Sequence, residues 1–284
     1  MRNFTFKGLL LTAVFMLLGC LSIQAANDDL ITKQITIKLD KAGTLPDRIA
    51  SSKKYKITNL KIIGEINGTD WNMIREMAGR NYQESSTEGN LSVLDLSEAK
   101  IVAGGDYYYY DNLFNNKVYT SNDEIGEYAF AYCSGLTSLT LPVGITSIGE
   151  FAFSGCSGLT SLTLPAGITS IGEFAFSYCS GLTSIYVYAE KVPRIGRYAF
   201  EGCASRKCTL YVPKGTYDNY RLSEFGYFEN IVEFDATGID KTTTSTDVEE
   251  VSRYSLNGQR LVGPTKGLNI VKYSDGSVKK VAVE

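Results

Sequence analysis

The sequence contains no histidine among its 284 residues. Without an imidazole, the chain alone cannot form a Ser-His-Asp triad, a Cys-His pair, a histidine-ligated metal site or an imidazole pH switch. A long basic run is also missing, and 28 Lys and Arg against 31 Asp and Glu give a formal net charge of −3. Nucleic acid is therefore not an expected partner. Proline is scarce, at six residues, whereas glycine is abundant, at 27.

Only the N-terminus carries a long apolar run, from Gly8 to Ile23. Basic residues precede this run and two small residues, Ala25 and Ala26, follow it, which is the order of a secretory signal. The run is short for a membrane span, which needs about 20 apolar residues. Residues 1–26 are therefore predicted to be a signal peptide, cleaved near Ala25 or Ala26, and the mature protein to be secreted or displayed at the cell surface.

A lipoprotein box is the alternative interpretation of the same segment. In the run Leu17-Leu18-Gly19-Cys20, the thiol of Cys20 would be lipidated and would tether the protein to a membrane. The bulky Leu18 stands where such boxes prefer a small residue, so ordinary cleavage is favoured.

A tandem repeat occupies the middle of the chain. The 23 residues from Ile125 and the 23 from Ile148 are identical at 19 positions, and further copies start at Ile171 and Ile195. A repeat of 20–50 residues indicates a stacked-coil architecture. The first two copies contain L-x-x-L-x-L, as in Leu159, Leu162 and Leu164, which is the strand pattern of a leucine-rich repeat.

The spacing within one coil predicts which side chains form the core. Leu162 and Leu164 are two residues apart and therefore point to the same, inner side of a strand, while Pro165 ends it. An alanine followed by phenylalanine recurs at one place in every coil, which predicts a stacked aromatic ladder. The four pairs are Ala129-Phe130, Ala152-Phe153, Ala175-Phe176 and Ala199-Phe200.

The outward strand positions form the candidate ligand face. Leucine-rich repeats commonly bind through this side of the sheet, and here it is rich in hydroxyls. A plain threonine-rich β surface is the equally weighted alternative, because threonine suits strands. The candidate residues are Ser138, Thr140, Ser161, Thr163, Ser184, Tyr186 and Tyr188.

A run of four tyrosines follows two glycines before the first good coil. We interpret it as a candidate aromatic loop, since tyrosines provide rigid amphipathic contact area for recognition. The alternative, slightly favoured, is that these rings cover the hydrophobic end of the first coil. The residues are Tyr107, Tyr108, Tyr109 and Tyr110.

Repeated cysteines and glutamates are the remaining candidates for chemistry. The cysteines at positions 133, 156, 179 and 203 share one place in the coil and are expected to be buried free thiols. A local disulfide between Cys203 and Cys208 is a less favoured alternative. The glutamates at positions 127, 150 and 173 repeat once per coil, which indicates a solvated edge rather than an acid–base pair. No catalytic, cofactor-binding or metal-binding residue is predicted.

Both ends of the chain differ from the middle. Residues 27–124 are predicted to be degenerate coils that cap the solenoid, with strand cores at Leu60 and Leu94 and a helix that Thr69 and Asp70 would cap. The solenoid is assigned to 125–235, where a closing helix from Tyr217 to Phe228 precedes a last strand. Residues 236–250 have the composition of a linker, and 251–284 are predicted to be a small β tail.

The repeat resembles the BspA-like, Treponema pallidum-type, leucine-rich repeats of secreted and surface bacterial proteins. The residues that carry the resemblance are Ile148-Gly149-x-x-Ala152-Phe153-x-x-Cys156-x-x-Leu159-x-x-Leu162-x-Leu164-Pro165. The tail is similar to type IX secretion sorting domains, through Asn257-Gly258-Gln259, Gly267-Leu268-Asn269-Ile270-Val271 and Lys280-Val281. The resemblance implies the outer surface of a Gram-negative, Bacteroides- or Prevotella-like bacterium. It further implies a non-enzymatic adhesion protein, with unidentified surface proteins or glycans of a host or of other bacteria as partners.

The sequence also fits two alternatives to adhesion. One is a carbohydrate-active enzyme or accessory protein that uses carboxylates and tyrosines in a deep pocket. The other is a mainly structural envelope protein that self-associates and binds no other ligand.

Overall fold

The computed structural model describes residues 30–236, 250–255, 259–261, 263, 266–273 and 278–283. The predicted signal peptide with Cys20, most of the predicted linker and the Asn257-Gly258 turn lie outside these described residues. Within the described part of the chain, no helix is long and apolar enough to cross a membrane.

Short strands and a few short helices make up the described chain. The strands are β1 (Ile35–Leu39), β2 (Asn59–Ile66), β3 (Val93–Ile101), β4 (Gly104–Asp111), β5 (Asn116–Thr120), β6 (Glu124–Ile125), β7 (Ser138–Thr140), β8 (Ser147–Ile148), β9 (Ser161–Leu164), β10 (Ser170–Ile171), β11 (Ser184–Val187), β12 (Arg194–Ile195), β13 (Thr209–Pro213), β14 (Asn230–Phe234), β15 (Glu250–Ser255), β16 (Arg260–Leu261), β17 (Gly267–Tyr273) and β18 (Val278–Val283). The helices are α1 (Leu45–Arg48), α2 (Gly68–Met77), α3 (Tyr217–Arg221) and a 3-10 helix (Glu224–Tyr227).

One parallel sheet runs from the N-terminal coils to the end of the solenoid. Its eight strands have the order β1-β2-β3-β7-β9-β11-β13-β14. Ser184 pairs with Ser161, and Ser161 pairs with Ser138, so the strands β7, β9 and β11 are displaced from one another by one 23-residue repeat. The predicted stack of 23-residue coils is confirmed.

The core follows the predicted pattern of each coil. Leu162, Leu164 and Phe153 are fully buried, and the four phenylalanines of the predicted ladder stack in sequence. Their ring centroids lie 5.4 Å apart between Phe130 and Phe153, 5.0 Å between Phe153 and Phe176, and 5.4 Å between Phe176 and Phe200. The ladder therefore ties each coil to both of its neighbours through the core.

A second aromatic row, which the sequence pattern does not single out, lies two residues before the first. Tyr128, Phe151, Phe174 and Tyr198 are stacked at 5.0–5.1 Å, and each of them has a positive φ between 52° and 57°. Side chains rarely adopt this left-handed backbone because the Cβ atom crowds the carbonyl oxygen. The stacking of one ring on the next holds the turn in this conformation.

The N-terminal coils are closed by α2 and by the β4–β5 hairpin. Asn67, not Thr69 or Asp70, is the N-cap of α2: its side chain accepts a hydrogen bond from the amide of Thr69 at 3.1 Å. The expected cap was wrong because Asp70 is the third helical residue, and its carboxylate completes a capping box. This buried carboxylate accepts from the amides of Gly43, Leu45 and Asn67, at 2.6, 2.8 and 3.0 Å.

Two short elements close the other end of the solenoid. In place of one helix from Tyr217 to Phe228, α3 is followed by a 3-10 helix whose cap is Ser223. The rings of Phe225 and Phe228 pack on Phe200, the last ring of the core ladder, at 5.4 and 5.1 Å. Beyond β14, the described part of the tail forms an antiparallel sheet in the order β16-β15-β17-β18.

Candidate functional site

A groove of about 650 Å³ lies between the outward face of the parallel sheet and the tail. Its solenoid side contains most of the candidate ligand face, because equivalent strand positions of successive coils stand side by side. Thr140 ends β7 half-buried and does not belong to the groove lining. The candidate residues that line the groove are Ser138, Ser161, Thr163, Ser184, Tyr186 and Tyr188.

Threonines one position before each strand add a second row of hydroxyls to the groove. The hydroxyl of Thr160 donates to the carbonyl oxygen of Thr137 at 3.3 Å, and that of Thr183 donates to Thr160 at 3.1 Å. Ser184 likewise donates to the hydroxyl oxygen of Ser161 at 3.0 Å. Because these hydroxyl protons are donated to the preceding coil, the oxygen lone pairs of the row can accept hydrogen bonds from a ligand.

Tyrosines form the C-terminal end of the groove. The rings of Tyr186 and Tyr211 are stacked at 4.4 Å, and the edge of Phe234 meets both Tyr186 and Tyr188. Burial raises the pKa of Tyr188 to about 12 and that of Tyr186 well above its usual value. Both phenols are therefore neutral at physiological pH; that of Tyr186 is hydrogen-bonded to Tyr211, and that of Tyr188 can donate to a ligand.

The tail supplies the opposite wall of the groove. Tyr254, Ile270, Lys272 and Val278 line it from the tail sheet. Lys280 connects the two sides, because its ammonium lies 4.6 Å above the ring of Tyr188. Burial lowers the pKa of Lys280, and the charge of Asp235 opposes that shift.

Two parts of this site were not predicted from the sequence. The threonine row was detectable, because Thr137, Thr160 and Thr183 recur at intervals of 23 residues. The contact between tail and sheet has no such signal, since the residues that make it, such as Tyr188 and Lys280, lie far apart in the sequence and share no motif.

The prediction of an aromatic loop at 107–110 is wrong in its conformation. These four residues belong to strand β4, which pairs with β5 in an antiparallel hairpin. Tyr108 and Tyr109 are buried; the first donates to the carbonyl of Glu127 at 2.9 Å and the second stacks on Tyr128 at 4.2 Å. These two rings cover the first good coil, as the alternative predicted. Tyr107 and Tyr110 are half-buried beside them.

The repeated cysteines are free and buried, as predicted. The thiols of Cys156, Cys179 and Cys203 donate to the carbonyl oxygen of a phenylalanine in the preceding coil, at 3.0–3.1 Å. Cys208 is also buried and free, so the structure contains no bond between it and Cys203. Burial raises the pKa of Cys133 to about 11 and that of Cys208 to about 12, which makes them poor nucleophiles.

The row of repeated glutamates lies on exposed turns away from the groove. Glu127, Glu150 and Glu173 are all exposed, as a solvated edge requires. Partial burial and the charges of Glu150 and Glu124 raise the pKa of Glu127. Among the described residues, the groove lining contains no aspartate or glutamate.

With this geometry in place, comparison with known proteins identifies the type of repeat. Residues 103–225 match the family model of the BspA type leucine rich repeat region, in six copies. The fold is a leucine-rich repeat solenoid. The structure is also similar to the crystal structure of a leucine-rich repeat protein from Bacteroides ovatus ATCC 8483, with 22% sequence identity and a TM-score of 0.36.

The similarity to that structure is partial in length. It covers 72% of this chain and 42% of the other, so this chain spans less than half of the similar protein. No curated protein matches the sequence.

Proposed function

We propose that this chain is a secreted or surface-displayed, non-enzymatic adhesion protein that binds its ligand in the groove between sheet and tail. The observation that carries the proposal is the convergence of six candidate face residues on one groove of about 650 Å³. Such a volume lies in the range of ligand sites in general. The repeat type, which resembles that of bacterial surface proteins, supports the same role.

The hydroxyl-rich walls favour a hydroxyl- or amide-bearing ligand, and Lys272 is the charged side chain in the described lining. Serine and threonine oxygens accept hydrogen bonds along the solenoid side, and the neutral phenol of Tyr188 can donate at one end. A segment of glycan or of an uncharged protein chain satisfies both kinds of group. The carbohydrate-active alternative is less well supported, because the repeated carboxylates stand outside this groove.

A charge placed in the groove tests the proposal. Ser161→Arg would insert a long cation among the hydroxyls, whereas Ser157→Arg adds the same cation to an exposed turn of the same coil. Both full-length variants and the parent would be screened against immobilised host matrix proteins and neutral polysaccharides such as dextran and mannan. We expect binding by the parent and by Ser157→Arg, and at least tenfold weaker binding by Ser161→Arg.

Two other outcomes would contradict the proposal. Equal binding by the two variants would show that the ligand does not enter the groove. If the parent binds none of these probes and instead self-associates in sedimentation, the structural envelope alternative replaces adhesion.

The place of the protein in the cell requires a separate measurement. We infer cleavage near Ala25 or Ala26 and export, with the tail acting as a sorting signal. The mass of the mature protein from fractionated cells, with both termini defined, tests this inference. A lipidated N-terminus at Cys20 would replace it with a membrane-tethered protein. Retention of Glu284 in the exported protein would weaken the inference of a sorting signal, whereas loss of the tail would remove one wall of the groove and limit ligand binding to the sheet face.

A further inference from the structure

The β4–β5 hairpin carries two exposed apolar side chains at its tip, which consists of residues 112–115. Leu113 is 83% exposed and Phe114 is 76% exposed. Within the described residues, no other part of the chain covers this pair. A single exposed apolar residue is ordinary at a protein surface, whereas two large ones side by side on a projecting turn indicate an interaction site.

Hydrogen bonds hold the tip in one conformation. The Oδ1 atom of Asp111 accepts from the amides of Leu113 and Phe114, at 2.8 and 3.2 Å. The hydroxyl of Tyr110 donates to the side-chain oxygen of Asn115, which has a positive φ of 52°. The two apolar side chains are therefore presented on an ordered turn, so that their binding costs little conformational entropy.

The opposite end of the hairpin is fixed to the solenoid. Tyr108 and Tyr109 are buried against the first good coil, and the amide of Tyr110 donates to the carbonyl of Tyr82 at 2.8 Å. The tip therefore projects from a rigid support.

A cluster of tyrosines lies on the hairpin below its tip. The ring centroid of Tyr107 is 6.4 Å from that of Tyr110, 6.3 Å from that of Tyr119 and 5.3 Å from that of Tyr82. The ammonium of Lys117, which pairs with Tyr110 across the hairpin, lies 4.8 Å above the ring of Tyr107. Tyr119 and Lys117 are exposed, and Tyr107 and Tyr110 are half-buried.

The order of these side chains along the hairpin matches the layers of a membrane surface. Apolar side chains suit the acyl layer, whereas tyrosine rings and lysine suit the headgroup layer. Leu113 and Phe114 stand two to three residues beyond the Tyr110–Lys117 pair, which is roughly 7–10 Å at the rise of a strand. Interfacial segments of proteins bury their apolar face by about 5–10 Å. The height of the tip above the tyrosines therefore suits this depth, whereas a pocket on a protein requires no such order below the tip.

We propose that the hairpin tip inserts into the surface of a lipid bilayer, with Leu113 and Phe114 at the acyl chains and the tyrosine cluster at the headgroups. The carboxylate of Asp111 lies below the tip, at the level of the headgroups, and accepts the tip amides. Two apolar side chains give weak, reversible binding, so the hairpin positions the protein on a membrane and does not anchor it. The tip is separate from the groove, so the proposal does not depend on the proposed function.

Sedimentation with phosphatidylcholine vesicles tests the proposal. The protein used would be the mature chain from Asn27, because the apolar run of residues 8–23 would itself bind lipid. We expect the parent to bind, and the double variant Leu113→Ser with Phe114→Ser to bind about tenfold more weakly or less, since burial of one such side chain contributes at least a factor of about ten. The control, Val143→Ser with Leu222→Ser, removes two comparably exposed apolar side chains elsewhere and should bind as the parent does.

Fluorescence shows whether the tip itself enters the lipid. The single natural tryptophan, Trp71, is buried and provides a background that brominated phosphatidylcholine should not quench. Phe114→Trp adds a tryptophan at the tip, where it keeps a large apolar ring. We expect the emission of this variant to shift to shorter wavelength with vesicles and to be quenched by the brominated lipid.

The proposal is overturned by any of four results. The first three are no sedimentation of the parent with vesicles, equal binding by the tip variant and the control variant, and vesicle binding that leaves the tryptophan at position 114 unquenched. The fourth is self-association of the parent without lipid that the tip variant abolishes, which would show that a second copy, and not a bilayer, covers the tip.

Discussion

Replacing Phe153 with alanine tests how strongly the core ladder stabilises the solenoid. The Phe153 ring is fully buried between Phe130 and Phe176, at 5.4 and 5.0 Å. A buried phenylalanine removes about 150–200 Å² of apolar surface from water, which at about 25 cal/mol per Å² contributes about 4 kcal/mol. Large-to-small changes of this kind cost about 3–5 kcal/mol.

The upper half of that range is expected here, because the site cannot collapse around the smaller residue. The backbone of this coil is fixed on both sides, by the bond from Phe130 to Ala152 at 2.6 Å and by that from Phe153 to Ala175 at 2.7 Å. Two stacked pairs are lost together, each contributing about 0.5–1.5 kcal/mol beyond its buried area. The phenylalanines on either side would face a cavity.

Urea unfolding of parent and variant gives the free energy of unfolding. Circular dichroism follows the whole chain, while fluorescence of the single tryptophan, Trp71, follows the N-terminal coils, where it lies 5.3 Å from Phe130. Coincidence of the two transitions checks that the coils unfold together. Phe151→Ala is the control: its ring stacks equally but is half-buried, so a loss of only about 1–2 kcal/mol is expected.

A small effect would refute this account of the core. If Phe153→Ala lowers the free energy of unfolding by less than about 1 kcal/mol, the ring does not contribute as a buried core residue should. Equal losses for Phe153 and Phe151 would show that stacking, rather than burial, determines the stability of the repeats.

The coils could be predicted from the sequence because each structural requirement recurs every 23 residues. Inward leucines, the alanine–phenylalanine pair and the buried cysteine occupy fixed positions in the coil. Because these positions recur, the pattern can be distinguished from a chance occurrence of the same residues. The outward candidate face followed from the two-residue period of a strand. A single sequence can therefore reveal structural requirements that involve neighbouring residues and recur in every repeat.

Other features depended on contacts between distant parts of the chain. The four consecutive tyrosines suit a strand by propensity, but they show no alternation between polar and apolar residues, so the sequence does not indicate which side of β4 faces the core. Its place is set by partners far away, such as Tyr128 on Tyr109. Gly68, the first residue of α2, likewise lies where an added Cβ would be 1.8 Å from the carbonyl oxygen of Asp106 in β4, a close approach that the local sequence does not show.

Close backbone approach, buried thiols and a buried carboxylate each have an effect that can be measured. Gly172→Ala is expected to destabilise the solenoid by about 2 kcal/mol, since its Cβ would lie 2.5 Å from the backbone of the preceding coil; Gly167→Ala, at 3.5 Å, should cost little. The five described cysteines should react with a thiol reagent only after unfolding in urea, because all are buried; rapid labelling of the native protein would contradict their burial. Asp70→Asn should lower the free energy of unfolding by about 3 kcal/mol, because the two carboxylate oxygens accept from three backbone amides, whereas asparagine keeps one oxygen and places an NH2 donor against at least one of these amides. Trp71 fluorescence in urea measures this loss close to the site, and the exposed Asp47→Asn is the control. A loss below about 1 kcal/mol for Asp70→Asn, or one equal to that of Asp47→Asn, would mean that these hydrogen bonds do not hold α2 against α1.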